Sequence, residues 1–120
     1  MTSLKDRIIL IRPRVYIGEN ISIGPGKIDL LRQVGNMHSI SGAARASGIP
    51  YKRAWLLIDT LNQGFGKPVV ETATGGKRGG GAELTPLGRQ LVDDYDALEK
   101  SLNKSSKAEL AALCSLAEFS

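Results

Sequence analysis

Apolar and polar positions alternate along the first part of the chain. Between Ile11 and Ile17 the odd-numbered positions are apolar, and the even-numbered ones are Arg12, Arg14 and Tyr16. This period of two predicts a β-hairpin over residues 7–23, with its turn near residues 18–20. Because Pro13 has no N–H to donate, we expect its strand to lie at an edge.

The pattern then changes to a helical spacing. Pro25 can occupy the first helical position, and a run of apolar residues three and four apart follows until Gly35-Asn36, where we expect the helix to end. A short helix is predicted between a serine cap at Ser39 and Gly48. A third begins at Ile49-Pro50 and continues to about Gln63.

A longer helix is predicted over residues 86–103, after a capping threonine at Thr85. Its apolar positions are spaced by four, four, three and four, which is close to a coiled-coil seam and favours dimerisation. These candidate dimerisation residues are Leu87, Leu91, Tyr95, Leu98 and Leu102. Ser106-x-x-Glu109 matches a capping box for a last short helix, and its apolar stripe includes Cys114, which we expect to be buried.

The segment Thr72–Ala82 is the most unusual stretch of composition. Five glycines lie within residues 75–81, around adjacent Lys77 and Arg78, and extended segments flank them. Glycine tolerates positive φ, so this sequence favours a thin hairpin tip that places two cations along a phosphate backbone or in a groove. A solvated loop is the alternative. A nucleotide-phosphate loop is not expected, because no Gly-Lys pair in this sequence is followed by Ser or Thr.

The two helices between Ser39 and Gln63 match a helix-turn-helix design. The small residues Ala43, Ala44 and Ala46 allow the first helix to pack closely on the second, whose first turns would enter the major groove. The candidate base-reading residues are Tyr51, Lys52, Arg53 and Trp55, and Ser39 and Ser41 are candidate phosphate contacts. Tyr51 and Trp55 could instead pack against the long helix.

The charge distribution supports a polyanion as the partner. The 120 residues carry a formal net charge of +4. Residues 27–89 hold nine Lys/Arg against four Asp/Glu, whereas residues 90–120 hold three against six. A basic middle and an acidic end indicate one surface that faces a polyanion and another that faces away from it.

Other classes of protein fit poorly. One cysteine and one histidine, His38, cannot form a zinc cluster, so we expect no metal and no cofactor. The acidic group Asp93, Asp94 and Asp96 spreads over more than one helix face and is interpreted as solvated. No catalytic arrangement is apparent, so we expect a non-enzyme. With no apolar run long enough for a membrane span and no signal peptide, we expect a cytoplasmic protein.

Three segments together resemble the N-terminal domain of ModE-type molybdate-responsive regulators and, more distantly, the DNA-binding domains of LysR-type regulators. They are residues 39–45, residues 50–55 and the glycine-rich residues 72–85, and the resemblance extends from about residue 10 to 103. It implies a winged helix-turn-helix in which the second helix reads the groove. The wing, with Thr74, Gly75, Gly76, Lys77 and Arg78, would hold the DNA backbone.

We therefore expect a mainly α (α+β) winged helix-turn-helix with an N-terminal β-hairpin and a long dimerisation helix. Residues 1–104 would form the DNA-binding domain and residues 105–120 a short C-terminal helix. The expected function is a homodimeric transcriptional regulator on a palindromic operator, linked by the resemblance to molybdate homeostasis. Direct molybdate binding is not expected, because the ModE type uses separate β domains for it. The alternative is a winged-helix protein–protein interaction module without DNA binding.

Overall fold

The computed structural model describes residues 10–73 and 81–117. These contain five helices and two antiparallel hairpins, in the order β1, β2, α1, α2, α3, β3, β4, α4, α5. Their bounds are β1 Val15–Ile17, β2 Ile21–Ile23, α1 Pro25–Met37, α2 Ile40–Ser47, α3 Tyr51–Phe65, β3 Val70–Ala73, β4 Gly81–Leu84, α4 Pro86–Ser105 and α5 Lys107–Leu116. The expected mainly α winged helix with an N-terminal hairpin is confirmed.

The N-terminal hairpin is shorter than predicted. β1 pairs with β2 only from Val15 to Ile17, whereas residues 10–14 form no strand. Instead, the side chain of Asn103 on α4 accepts from the Ile11 N–H at 2.7 Å and donates to the Ile11 carbonyl at 2.9 Å. The backbone of this extended strap is thus satisfied by a helix side chain rather than by a ladder.

Helix α1 forms the centre of the core. It begins at Pro25, as predicted, and its fully buried side chains include Ile28, Leu31 and Val34. The predicted end at Gly35-Asn36 is two residues too early. The helix ends where His38 adopts the left-handed conformation, with φ of 56°, and donates its N–H to the Val34 carbonyl.

Helices α2 and α3 form the helix-turn-helix. The Ser39 hydroxyl accepts from the Gly42 N–H at 2.9 Å, which confirms the cap, and Gly48 turns the chain with φ of 70°. Ala43 and Ala44 are buried at the contact, but Ala46 is exposed. Helix α3 continues to Phe65, two residues beyond the predicted end.

The second hairpin is held at its base by the helices. Residues 70–73 of β3 pair with residues 81–84 of β4. The Ala82 N–H donates to the His38 carbonyl at 3.0 Å, and the Val69 N–H donates to the Asn62 side chain at 2.7 Å. The wing is therefore attached to the end of α1 and to the side of α3.

Helix α4 begins with the predicted cap, since the Thr85 hydroxyl accepts from the Gly88 N–H at 3.0 Å. The capping box predicted for α5 is wrong, because Ser106 makes no side-chain cap bond. No residue of α5 is buried, and Cys114 is half-buried rather than buried as predicted. None of the helices in the described residues is long and apolar enough to cross a membrane.

Candidate nucleic-acid interface

Helix α3 turns one face to the core and the other outward. Ala54, Ile58 and Leu61 are buried against α1 and α2. Because an α-helix repeats every 3.6 residues, the opposite side of α3 carries the row Lys52, Leu56, Asp59 and Gln63. All four side chains of this outer row are exposed.

The outer row combines three kinds of chemistry. Lys52 supplies a cation near the helix start, and Leu56 supplies an apolar side chain that is 56% exposed. Asp59 accepts a hydrogen bond from the Gln63 amide at 3.0 Å, so the two polar side chains are already paired with each other. The part of the row nearest the N-terminus of α3 therefore presents one positive and one apolar group.

Tyr51 and Trp55 lie together on one flank of α3, because they are four residues apart. Their rings meet edge to face, with centroids 6.3 Å apart and planes at 80°. Tyr51 is exposed and Trp55 is 38% exposed. Trp55 is thus not part of the buried core, but more than half of its surface is covered by neighbours, as expected for a half-buried residue.

Arg53 lies on the opposite side of α3 from this aromatic pair. It lines a crevice of about 490 Å³ between α1 and α3, together with Asp29, Arg32 and Ser47. Sequence reasoning grouped Tyr51, Lys52, Arg53 and Trp55 as one reading surface. The structure instead distributes them over two flanks and the outer row.

The charged side chains of α1 at this crevice form ion pairs. Asp29 accepts from Arg12 and from Arg32, each at 2.6 Å, and Arg32 also pairs with Asp96 on α4. Burial opposes the charged form of Arg32, but its hydrogen bond with Asp96 and the charges of Asp96 and Asp29 outweigh burial and raise its pKa. Arg32 is thus fixed as a link between α1 and α4.

Ser39 and Ser41 lie at the N-terminus of α2, beside the wing. They line a cleft of about 1010 Å³ between α2 and the β3–β4 hairpin. The Ser39 hydroxyl already caps α2 and lies 3.0 Å from the Ser41 hydroxyl. Ser41, which is exposed, is therefore the freer of the two predicted phosphate contacts.

The base of the wing is acidic. Glu71 on β3 is directly opposite Glu83 on β4, and the Glu83 carboxylate is 4.0 Å from the His38 ring. Two like charges in a cross-strand pair repel each other and repel phosphate. Any attraction of the wing for DNA thus has to come from beyond these two strands. The residues predicted for that role, Thr74, Gly75, Gly76, Lys77 and Arg78, lie outside the described residues.

The predicted dimerisation stripe divides into two groups. Tyr95 is only 4% exposed and belongs to the core, where its hydroxyl donates to the Pro13 carbonyl at 2.7 Å. Leu98 is 38% exposed, whereas Leu87, Leu91 and Leu102 are half-buried. An apolar groove of about 270 Å³ runs beside Leu91 and Leu98 and is bordered by Ile17 of the N-terminal hairpin and Phe65.

Leu56 and Asp59 were missed by sequence reasoning. The site prediction rested on the first turn of α3 and on its inner apolar positions, which include neither residue. A position four residues after Lys52 shares its face, so the helical period would have identified Leu56. Within residues 10–73 and 81–117, no group of three or more His, Cys, Asp or Glu side chains could hold a metal ion.

No family model matches the chain. Several curated proteins, however, are similar to part of it. The chain is 44% identical over 82 residues to the molybdenum-pterin-binding protein MopB of Rhodobacter capsulatus. It is 47% identical over 74 residues to the transcriptional regulator ModE of Yersinia pestis, and 44% identical over 81 residues to the DNA-binding transcriptional dual regulator ModE of Escherichia coli K12. These matches cover 62–68% of this chain but only 28–31% of each relative.

Proposed function

This chain belongs to the ModE-type regulators, and from that premise we propose that it binds duplex DNA and regulates transcription. The relatives named ModE are described as transcriptional regulators, and one of them as DNA-binding. The chain spans less than a third of their length, so the proposal concerns the domain that it shares with them. Family membership also links the proposed regulation to molybdate.

The observation that carries the proposal is the outward face of α3. Its N-terminal half presents Lys52 and Leu56, and Arg53 and the aromatic pair flank them. A recognition helix enters the major groove with these first turns, while the end of a neighbouring helix contacts phosphate. The exposure of Ser41 at the start of α2 supports such a phosphate contact, and exposed Arg45 would add a further cation.

We further propose a homodimer that binds a palindromic operator. Its support is the apolar groove that Leu87, Leu91 and the exposed Leu98 share with the N-terminal hairpin. Half-buried Leu102 lies one turn further along α4.

The experiment compares two double variants on a selected duplex and on a scrambled one. Lys52→Ala with Arg53→Ala should remove most preference for the selected duplex, since each lost base contact costs on the order of 1–3 kcal/mol. Lys77→Ala with Arg78→Ala, which removes two wing cations, should weaken both duplexes alike and reduce the salt dependence. Fluorescence anisotropy, repeated at several salt concentrations, measures the affinity of the wild type and of both variants for each duplex.

The matched control is Lys100→Ala with Lys104→Ala, which removes the same charge from exposed positions on α4. It should leave the preference unchanged. An equal loss of preference from the α3 pair and the α4 pair would contradict base reading by α3.

A second candidate is a winged-helix protein–protein interaction module. It is favoured by the apolar groove between α4 and the N-terminal hairpin, and by the exposed leucines of α5, Leu113 and Leu116. The same experiment separates the candidates. A protein-binding module would bind both duplexes weakly, and none of the three double variants would change that binding selectively.

A further inference from the structure

One apolar side chain lies where the proposed DNA interface is otherwise polar. Leu56 is 56% exposed in the outer row of α3, one helical turn after Lys52. No structural need explains a leucine there, because the core-facing positions of α3 are already occupied by Ala54, Ile58 and Leu61. Leu56 is therefore outside the core and accessible to a ligand.

The neighbouring charges decide which ligand fits. Lys52 precedes Leu56 by one turn in the outer row, and Arg53 is exposed three residues before it on α3. Asp59, three residues after Leu56, keeps its negative charge, because the Gln63 amide that donates to it is neutral. Two cations against one carboxylate leave this part of α3 with a net positive charge, which favours a polyanion over an apolar protein surface.

Duplex DNA offers one apolar group in its major groove, the C5-methyl of thymine. We propose, on the basis of the proposed DNA-binding function, that Leu56 is a specificity-determining residue that contacts a thymine methyl group. Lys52, on the same face, supplies the hydrogen-bonding or phosphate contact beside it. Tyr51 and Trp55 occupy one flank of α3, where each ring packs on the other. Leu56 is therefore the apolar side chain that lies farthest outward on this helix.

Replacing thymine by uracil tests the contact, because it removes the methyl group and leaves every hydrogen-bonding group of the base pair in place. A duplex selected with the full chain is resynthesised with single dT→dU replacements. For the wild type, at least one replacement should weaken binding about fourfold, the factor for one buried methyl group. For Leu56→Ala, the dT and dU forms of that same duplex should bind equally.

Leu113→Ala is the matched control, since it shortens another exposed leucine, on α5, outside the proposed interface. It should keep the full difference between dT and dU. Circular dichroism and thermal unfolding check that Leu56→Ala is folded, as expected for an exposed position.

Three outcomes would overturn the proposal. The first is that no dT→dU replacement weakens binding by the wild type. The second is that Leu56→Ala keeps the same dT/dU difference as the wild type. In both cases the chain still binds duplex DNA, and only the proposed role of Leu56 is wrong. If no duplex is bound at all, the DNA-binding function fails with it. In that case, loss of a protein partner from Leu56→Ala but not from Leu113→Ala would identify the α3 surface as a protein interface.

Discussion

Tyr95 shows how a single side chain connects distant parts of this chain. Tyr95 lies on α4 with its ring buried in the core, and its hydroxyl donates to the carbonyl of Pro13, 82 residues earlier. Burial raises the pKa of the Tyr95 phenol, and the charge of Glu99 adds to that effect. The neutral phenol is therefore the form that holds the N-terminal strap.

Tyr95→Phe should cost about 1 kcal/mol of unfolding free energy near neutral pH, since the Pro13 carbonyl loses its donor. The pH dependence follows from the raised pKa. Stability from the neutral phenol is fully present below the unfolded-state pKa of about 10 and is lost as pH rises through the higher folded-state value. Urea unfolding from pH 7 to 11 should show the wild type approaching the variant above about pH 10. A difference that stays constant across this range would contradict the assignment.

Residue-level signals in the sequence worked where the interaction is local. The caps made by Ser39 and Thr85 and the turn at Gly48 are each formed within four residues, and each was predicted. Tyr95 was predicted to face a partner chain, because its helical spacing alone places it on the same stripe as Leu91 and Leu98. The Pro13 carbonyl that engages it is remote in sequence, so no local pattern could reveal it.

At the level of elements, the close approach of α4 to the base of the wing depends on one glycine. A Cβ at Gly88 would lie 2.2 Å from the Val69 carbonyl oxygen, which is a backbone atom and cannot move away alone. The same region is tied by the Thr85 N–H, which donates to that carbonyl at 3.0 Å. The orientation of the wing relative to α4 is therefore set at Gly88.

Gly88→Ala should destabilise the protein by about 1–3 kcal/mol or more, as expected when a packed contact is overfilled. Gly26→Ala is the matched control, because Gly26 is an exposed helical glycine with no atom within 4 Å of the added Cβ. It should be neutral or stabilising by up to about 1 kcal/mol. Chemical unfolding followed by circular dichroism measures both, and equal stability of the two variants would contradict the role given to Gly88.

The order and type of the elements could be predicted from the sequence because hydrophobic period and turn chemistry are local properties. The contacts of the strap over residues 10–14 could not be predicted in this way. Its alternating pattern is typical of a strand, and its side chains do alternate between half-buried and exposed, but its hydrogen-bonding partner is Asn103, 92 residues away. The candidate site was predicted as a set of residues, whereas their division between the flanks and outer row of α3 required the packed helix.

For the whole molecule, the main feature is an uneven distribution of charge along the chain. The middle of the chain carries a surplus of cations, and the long helix that follows carries a run of acidic residues from Asp93 to Glu99. In the proposed function, a DNA-facing surface would gain affinity from the first, and the second would keep α4 away from the phosphates. The proposed DNA binding thus depends on charge as well as on geometry.

The measurement that tests this claim most directly is the anisotropy of a labelled duplex titrated with the chain across a range of salt concentrations. We expect a log–log slope steeper than about −4, because several phosphates are neutralised by each bound dimer and each contributes about −0.9. Stoichiometric titration at low salt should give two chains per duplex. Binding that is indifferent to salt, or no binding, would contradict the DNA-binding account.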